Sequence, residues 1–212
     1  LSYYGDGLRF EVNHIVLDSK EPVEVRHNKN MEIFAFPLDH KIDTYGFLFR
    51  EKAPQRNVIK EMIEKYSFTL TEIGTLKRGE DVVRELEDGE FVVIPKEEVS
   101  YVPFIPRSYA YCSDTAVFAR ESEWVRGVSL LYHETTYLDE LKDQAKLRHH
   151  STTIQAATVA REAGVGKLVI GHYSSRCRDV RMYQNECRTV FPETYAANDG
   201  DVFEVPLVMP QN

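Results

Sequence analysis

At 212 residues and 42% hydrophobic composition, the chain is long enough for one large domain or two small ones with a buried core. Its formal net charge of −8 excludes a surface that is basic all over, so any nucleic acid would have to meet a local patch. The three cysteines are odd in number and lack CxxC spacing, which predicts reduced thiols and a cytoplasmic protein rather than a disulfide framework.

There is no run of 18 apolar residues and no charged-then-apolar leader, so the sequence predicts neither a membrane span nor a secretory signal. The opening stretch LSYYGDGLRF lacks an initiator Met and begins close to a predicted strand. We therefore expect the chain to be part of a longer protein.

Residues 1–51 form the first predicted region, which is rich in β-strands. Alternating apolar residues, broken by turn residues, predict antiparallel strands of one sheet at Leu8–Val12, His14–Leu17, Val23–His27, Met31–Phe36 and Tyr45–Phe49. His40 follows the run MEIFAFPL and enters a loop. Taken by itself it is best interpreted as a surface loop histidine.

Residues 52–95 differ in character and are predicted to be an inserted subdomain. We expect a helix at Asn57–Tyr66, a turn at Ile73–Gly79, and a β-hairpin around Glu87-Asp88-Gly89 ahead of FVVIP. Basic residues interleaved with glutamates give the region local positive charge. They fit either an RNA contact or an ordinary solvated helix face, and charge alone does not decide; they include Lys60, Lys65, Lys77 and Arg78.

Residues 96–212 complete the predicted domain and begin with the strand Ser108–Cys112. Asp114 follows that strand directly. A carboxylate at this place is costly unless it is hydrogen-bonded, paired or bound to a metal. The equally weighted alternative is that Asp114 caps the helix expected over AVFARESEWVRG.

The stretch Val128–Ser175 predicts a strand, two helices and a second strand, which together make a βαβ crossover. Ser151 stands where a helix N-cap would lie, and Gly164 is placed to end that helix with φ > 0. Ligands of such sheets bind beyond the carboxyl ends of the strands. His133, Glu134 and His172 are expected at those ends.

The last segment predicts one helix, Asp179–Phe191, and two short strands, Tyr195–Ala197 and Val202–Val205. Across the whole chain, His40, Asp114 and His172 each follow a predicted strand. Two histidines and a carboxylate are donors that zinc accepts. Three such ligands are too few for two metal ions, and residues this far apart have no fixed spacing to test.

Several segments resemble one enzyme family, in chain order. HETTY at His133–Tyr137 resembles the HEAT motif of ribonuclease Z, the tRNA 3′-end processing endonuclease of the metallo-β-lactamase superfamily. HSTTIQAATVAREAGVGKLVIGHYSSR, from His150 to Arg176, is similar to the family's HST motif and the final metal-ligand motif after it. YCSDT at Tyr111–Thr115 resembles the segment with the bridging aspartate, and PLDHKIDTYGFLFRE the segment with the preceding ligand histidine. The ending FPETYAANDGDVFEVP fits the closing strands, so nearly all of the chain is covered.

The resemblance implies an α/β (α+β) fold, namely the carboxyl-terminal portion of an αββα sandwich with two zinc ions at the edge of its sheets. By position, His40 would bind one zinc ion and His172 the other, with Asp114 bridging them. The implied activity is removal of the 3′ trailer from precursor tRNA, which leaves a 3′-hydroxyl on the tRNA and a 5′-phosphate on the trailer.

The HEAT-like and HST motifs together imply catalytic roles for His133, Glu134 and His150. Glu134 would orient His150 and stabilise its protonated form, and His150 would act as general acid toward the leaving oxygen. Arg176 would either meet a phosphate or pair with a nearby carboxylate. The 52–95 region occupies the place of the family's tRNA-binding arm, and a homodimer is implied by the resemblance alone.

Two departures from the family pattern matter for the activity. The HxHxDH signature, which supplies the other zinc ligands, is absent from these 212 residues. We therefore expect this chain alone to bind metal poorly and not to catalyse. Thr135 replaces the usual Ala of HEAT, which changes packing more than chemistry.

Two alternatives to a tRNA-processing enzyme stay open. One is another metallo-β-lactamase-fold phosphodiesterase or sulfatase acting on a small ester, and the other is a non-catalytic RNA-binding remnant.

Overall fold

The structure is a computed structural model that describes residues 13–210. Strands and helices are numbered separately in chain order. The strands are β1 (Val23–His27), β2 (Met31–Leu38), β3 (Thr44–Glu51), β4 (Asn57–Val58), β5 (Val82–Glu85), β6 (Phe91–Ile94), β7 (Ser100–Tyr101), β8 (Ser108–Cys112), β9 (Leu130–Glu134), β10 (Leu168–Gly171) and β11 (Thr194–Ala196). The helices are α1 (Lys60–Tyr66), α2 (Leu70–Lys77), α3 (Lys96–Val99), α4 (Glu121–Trp124), α5 (Lys142–Arg148), α6 (Thr153–Ala163) and α7 (Val180–Arg188), and a 3-10 turn, Asp139–Leu141, precedes α5.

The main sheet has seven strands in the order β1-β2-β3-β8-β9-β10-β11. The pairs from β1 to β8 are antiparallel, and those from β8 to β11 are parallel. The first three strands confirm the predicted antiparallel arrangement of residues 23–27, 31–36 and 45–49. The parallel pair β9–β10, joined through α5 and α6, confirms the predicted crossover.

Helices α4, α6 and α7 cover one face of the main sheet, and the main hydrophobic core lies between these helices and the sheet. Leu131, Leu168 and Ile170 point into this layer and are fully buried. Each such side chain contributes about 1.5–3 kcal/mol relative to exposure. The buried alanines of α6, among them Ala157 and Ala160, let the helix lie close to the sheet.

The start of α6 differs by one residue from the prediction. Thr152, not Ser151, is the N-cap, because its side chain accepts from the Gln155 N–H while the Gln155 side chain accepts from the Thr152 N–H. Ser151 donates instead to the carbonyl of Thr115. Gly164 ends the helix with φ +64°, as predicted.

Residues 57–101 form a small unit with its own apolar cluster of Phe68, Leu76, Val82, Ile94 and Val99. The predicted hairpin is confirmed, with β5 and β6 antiparallel and Gly89 at φ +82°. The predicted turn at Ile73–Gly79 is wrong, because α2 runs from Leu70 to Lys77 under a Thr69–Glu72 capping box. The helix predicted at Asn57–Tyr66 begins only at Lys60, since Asn57–Val58 pairs with β7.

Four further predictions need correction, and one lies outside the described residues. Residues 14–17 and 202–205 form no strand. Asp114 does not cap a helix, because the next helix, α4, begins only at Glu121 and its N-cap is Arg120. The helix predicted at Asp179–Phe191 is shorter, with Asp179 as N-cap and its end at Arg188. The strand predicted at Leu8–Val12 lies outside the described residues.

The helices of residues 13–210 are all too short or too polar to cross a lipid bilayer.

Candidate functional site

The candidate site lies where several strands of the main sheet end. Asp114 follows β8, Glu134 is the last residue of β9, and His172 follows β10. Because these three strands are parallel, their carboxyl ends meet at one edge. His40 follows β2, which is two antiparallel steps from β8 and therefore ends at the same edge.

Three donor groups converge at this edge. One ligand atom each of Asp114, His150 and His172 lies within 4.8 Å of the others. Among them, His172 Nε2 lies 3.1 Å from Asp114 Oδ1. The His40 ring stands next to this group, with its centroid 5.1 Å from that of His150. The structure thus brings His40, Asp114, His150 and His172 into one neighbourhood.

The backbone at this edge adopts unusual conformations. Asp114, His149 and His172 have φ of 38°, 57° and 55°, and among the described non-glycine residues Ser67 is the one other with positive φ. Such conformations cost about 1–3 kcal/mol each and cluster at functional sites. Local strain therefore marks the same edge as the donor groups.

Glu134 is the buried centre of the hydrogen-bond network. Its carboxylate accepts from His150 Nδ1 at 2.6 Å, from the Thr115 N–H at 3.0 Å, and from the N–H and hydroxyl of Thr136 at 2.9 and 2.7 Å. Burial acts to raise the pKa of Glu134, but the bonds from His150 and Thr136 outweigh it and lower that pKa. Glu134 is therefore held as a carboxylate.

The Glu134 carboxylate stabilises the protonated form of His150. Its bond to Glu134 raises the pKa of the His150 imidazole, against a smaller opposing effect of burial. Because Nδ1 is occupied by Glu134, Nε2 is the nitrogen left to meet a substrate or an ion. The geometry therefore favours a protonated His150 with one nitrogen available.

Thr136 connects the same carboxylate to His172. The Thr136 hydroxyl has one proton, which it donates to Glu134 Oε2, so at 2.9 Å it accepts from His172 Nδ1. His172 Nε2 then carries a lone pair, 3.1 Å from an Asp114 carboxylate oxygen. Two acceptor atoms that face each other at this distance need a proton or a metal ion between them, which fits a cation site.

His40 has the hydrogen-bond pattern of a metal-binding histidine. Its Nδ1 lies 2.9 Å from the His149 carbonyl oxygen, which can only accept. Nδ1 therefore carries a proton, and in the neutral imidazole Nε2 is the nitrogen with the lone pair. This outer hydrogen bond is the one that fixes the tautomer of histidine ligands.

His133 is not brought to the cluster. It is fully buried on the helix-covered face, where Nε2 lies 2.8 Å from Glu121 Oε1 and Nδ1 lies 2.7 Å from the Glu134 carbonyl oxygen. Burial acts to lower the pKa of His133, but the Glu121 carboxylate outweighs it and raises that pKa. Alternation along β9 explains the difference, since His133 and Glu134 point to opposite faces.

A cavity of about 510 Å³ opens next to the cluster. Tyr137, whose ring centroid is 6.2 Å from that of His150, lies in its wall. Three guanidinium groups also line it and make no ion pair with any residue among 13–210: Arg148, Arg176 and Arg178. Arg176 was a candidate from the sequence, whereas Arg148 and Arg178 were not.

The predicted RNA-binding residues of the 57–101 unit lie in an acidic setting. The unit contains six lysines and arginines against eleven aspartates and glutamates. Arg78 is engaged by Glu80, 3.1 Å away, and Lys65 lies over the Tyr66 ring. Lys60 and Lys77 make no ion pair within the described part of the chain.

Sequence reasoning missed Thr115, Thr136 and Glu121. Thr136 follows Glu134 by two residues, so the local spacing was visible, but its contact with His172 spans 36 residues. Glu121 meets His133 through the packing of α4 on β9. No signal in the sequence marks either contact.

The chain has clear relatives among known proteins. It is 38% identical over 205 residues to "Ribonuclease Z" of Cytophaga hutchinsonii, a match that covers 97% of this chain and 64% of that protein. It is 32% identical over 210 residues to "Ribonuclease Z" of Phocaeicola vulgatus, covering 99% of this chain and 67% of the relative. The chain thus spans a little under two thirds of the first of these relatives. No family model matches the chain.

Two solved structures share its fold. The metallo-beta-lactamase fold protein YhfI from Bacillus subtilis superposes with a TM-score of 0.55 at 17% identity, over 90% of this chain and 55% of that one. The short form of human tRNase Z (ELAC1) superposes with a TM-score of 0.52 at 20% identity, over 88% of this chain and 47% of that one.

Proposed function

This chain belongs to the ribonuclease Z family and has the metallo-β-lactamase fold, and from that premise we propose that it carries the active-site edge of a zinc-dependent endoribonuclease that removes the 3′ trailer from precursor tRNA. One observation carries the proposal. The buried Glu134 carboxylate holds His150 directly and His172 through Thr136, beside Asp114.

The residues present fit a metal site. Asp114, His172 and His40 are the proposed zinc ligands, because His172 and His40 each donate Nδ1–H to an oxygen and keep a lone pair on Nε2. Zinc bound there would supply Lewis-acid charge neutralisation and activation of water.

His150 is the proposed general acid. Glu134 stabilises its protonated form and fixes its ring through Nδ1, so that Nε2–H can be donated to the oxygen that leaves phosphorus. General acid catalysis by a positioned side chain contributes about 10²–10⁴-fold in rate. Glu134 acts through His150 and is a positioning residue in this scheme.

The proposed RNA path runs over the cavity beside the cluster. Arg148, Arg176 and Arg178 are free of carboxylate partners among residues 13–210 and can meet phosphates. Lys60, Lys65, Lys77 and Arg78 of the 57–101 unit are proposed as a second phosphate contact. The products would be a tRNA with a 3′-hydroxyl and a trailer with a 5′-phosphate.

Two further assignments rest on less. Residence in the cytoplasm is supported by the three cysteines, which are all free. Assembly as a homodimer follows from the family resemblance alone.

The test is cleavage of an end-labelled precursor tRNA by the natural protein in its full length, after chelation and again after zinc is restored. We expect cleavage at the 3′ side of the acceptor stem only when zinc is present. Hydrolysis of a small phosphodiester or sulfate ester without tRNA cleavage would favour another hydrolase of the same fold. Tight tRNA binding without any hydrolysis would favour an RNA-binding remnant.

A further inference from the structure

A second buried polar pair lies directly behind the site, on the helix-covered face of β9. His133 and Glu121 are both fully buried and 2.8 Å apart. Strand neighbours Cys112 and Ile170 flank His133 on either side. None of these groups has a part in the proposed chemistry.

Burying His133 and Glu121 costs more free energy than a purely structural role would require. Two apolar side chains of similar volume would fill the same space without the cost of desolvating two polar groups. Glu121 Oε2 has no hydrogen-bond partner among the described residues, which adds to that cost. The pair therefore calls for a role that apolar side chains could not fill.

The hydrogen bonds of His133 indicate that role. A carbonyl oxygen can only accept, so His133 must donate Nδ1–H to the Glu134 carbonyl, 2.7 Å away. Glu121 holds the other ring nitrogen and so fixes the direction in which Nδ1 points. The peptide carbonyl of Glu134 is thereby tied to one orientation, and the side chain of that same residue holds His150.

We propose that His133, held by Glu121, is a positioning residue that fixes Glu134 from behind and thereby sets the alignment of His150. This deepens the proposed function, on which it rests. The chain of contacts runs from Glu121 to His133, from His133 to the Glu134 carbonyl, and from the Glu134 carboxylate to His150. Amide exchange at Thr115 and Thr136 measures how firmly Glu134 is held, because both residues donate backbone N–H groups to its carboxylate.

Two substitutions separate the two ring nitrogens of His133. The amide nitrogen of His133→Asn lies near the position of Nδ1 and can still donate to the Glu134 carbonyl. The amide nitrogen of His133→Gln lies near Nε2 and can still meet Glu121, but it loses the bond to Glu134. Glu121→Gln is the conservative rescue variant, since its amide can donate to Nε2 while Nδ1–H is kept.

The first measurement uses the natural full-length protein and needs no activity. Imidazole ¹H–¹⁵N spectra of the wild type should show His133 protonated at Nδ1. Amide exchange at Thr115 and Thr136 should stay within about threefold of wild type in Glu121→Gln. In that Glu121→Gln background, where neither His133 variant leaves a buried charge unpaired, exchange should be at least about tenfold faster in His133→Gln than in His133→Asn.

The second measurement uses the natural full-length protein and precursor tRNA. In the Glu121→Gln background, His133→Gln should lower kcat about 10–100-fold relative to His133→Asn, with KM within about threefold. If precursor tRNA is not cut by the wild type, the proposed function fails, while the exchange result stands by itself.

Three results would overturn the positioning role. The first is an unprotonated Nδ1 in wild-type His133, which decides the matter even if the variants do not fold. The second is equal loss of protection at Thr115 and Thr136 in His133→Asn and His133→Gln in the Glu121→Gln background. The third is no loss in either variant.

Discussion

Replacing Glu134 should have a large effect on stability, because four donors converge on one buried carboxylate. Glu134→Ala leaves the N–H groups of Thr115 and Thr136 without their acceptor, and both residues are buried. Each unsatisfied buried donor costs about 1–3 kcal/mol. Together with the lost bond to His150, we expect a loss of about 3–5 kcal/mol in the free energy of unfolding.

Glu134→Gln should cost less, about 2–3 kcal/mol, because its one amide oxygen can still accept from Thr136, whereas its NH2 group replaces the oxygen that accepts from the Thr115 N–H and from His150. The assay is urea unfolding followed by fluorescence of Trp124, the single tryptophan of the chain. Glu140→Ala removes an exposed carboxylate nearby and should stay within about 0.5 kcal/mol of wild type. A Glu134→Ala cost no larger than that of Glu134→Gln would refute the reasoning.

The ion pair of Glu134 and His150 predicts how the free energy of unfolding depends on pH. The folded pKa of Glu134 lies below its ordinary 4.5 and that of His150 above its ordinary 6.5. The Glu134 contribution is therefore complete above pH 4.5 and is lost as the pH falls through the lowered value. The His150 contribution is complete below pH 6.5 and is lost as the pH rises through the raised value. We expect the pair to stabilise most between pH 4.5 and 6.5, and Glu134→Gln to flatten both limbs.

Three further predictions test other parts of the molecule. Hydrogen bonds from Arg84 and Thr69 lower the pKa of Glu72 from 4.5 to about 2. In acid unfolding, stability on the order of 1 kcal/mol should therefore be lost as the pH falls between these two values. Glu72→Gln should remove that pH dependence. Gly46→Ala should lower the free energy of unfolding in urea by about 1–3 kcal/mol, because its Cβ would lie 2.5 Å from the Phe36 ring and 2.9 Å from the Tyr111 carbonyl oxygen. The matched control is Gly74→Ala in α2, where the nearest atom to the added Cβ lies 3.6 Å away. This variant should raise the free energy of unfolding by about 0.5–1 kcal/mol. Charge reversal at Lys60, Lys65, Lys77 and Arg78 should weaken tRNA binding and reduce its salt slope, and an unchanged binding constant and slope would contradict the arm assignment.

Local patterns predicted the elements whose signals are themselves local. The parallel pair β9–β10 and the hairpin at Gly89 were readable because their residues carry strand periodicity and turn chemistry. The turn predicted at Ile73–Gly79 is wrong because the Thr69–Glu72 capping box stabilises a helix there and offsets the cost of the helical glycine, Gly74. Ser151 failed as N-cap because Thr152, three residues before Gln155, completes a capping box.

The site was predictable in its location more than in its hydrogen bonding. Asp114, Glu134 and His172 could be placed at strand ends, and the parallel order of β8, β9 and β10 brings those ends together. The opposite orientations of His133 and Glu134 follow from strand alternation. The link from Thr136 to His172 depends on tertiary distance and so had no trace in the sequence.

The most direct test of the central claim compares cleavage of precursor tRNA by site variants of the natural full-length protein with zinc present. Asp114→Asn and His172→Ala should each lower the cleavage rate at least about 100-fold, because they remove proposed metal donors. His149→Ala is the matched control. Its side chain pairs with Asp39, and its backbone carbonyl, which holds His40, is kept, so its rate should stay within about threefold of wild type. Undiminished zinc-dependent cleavage by Asp114→Asn and His172→Ala would contradict the account.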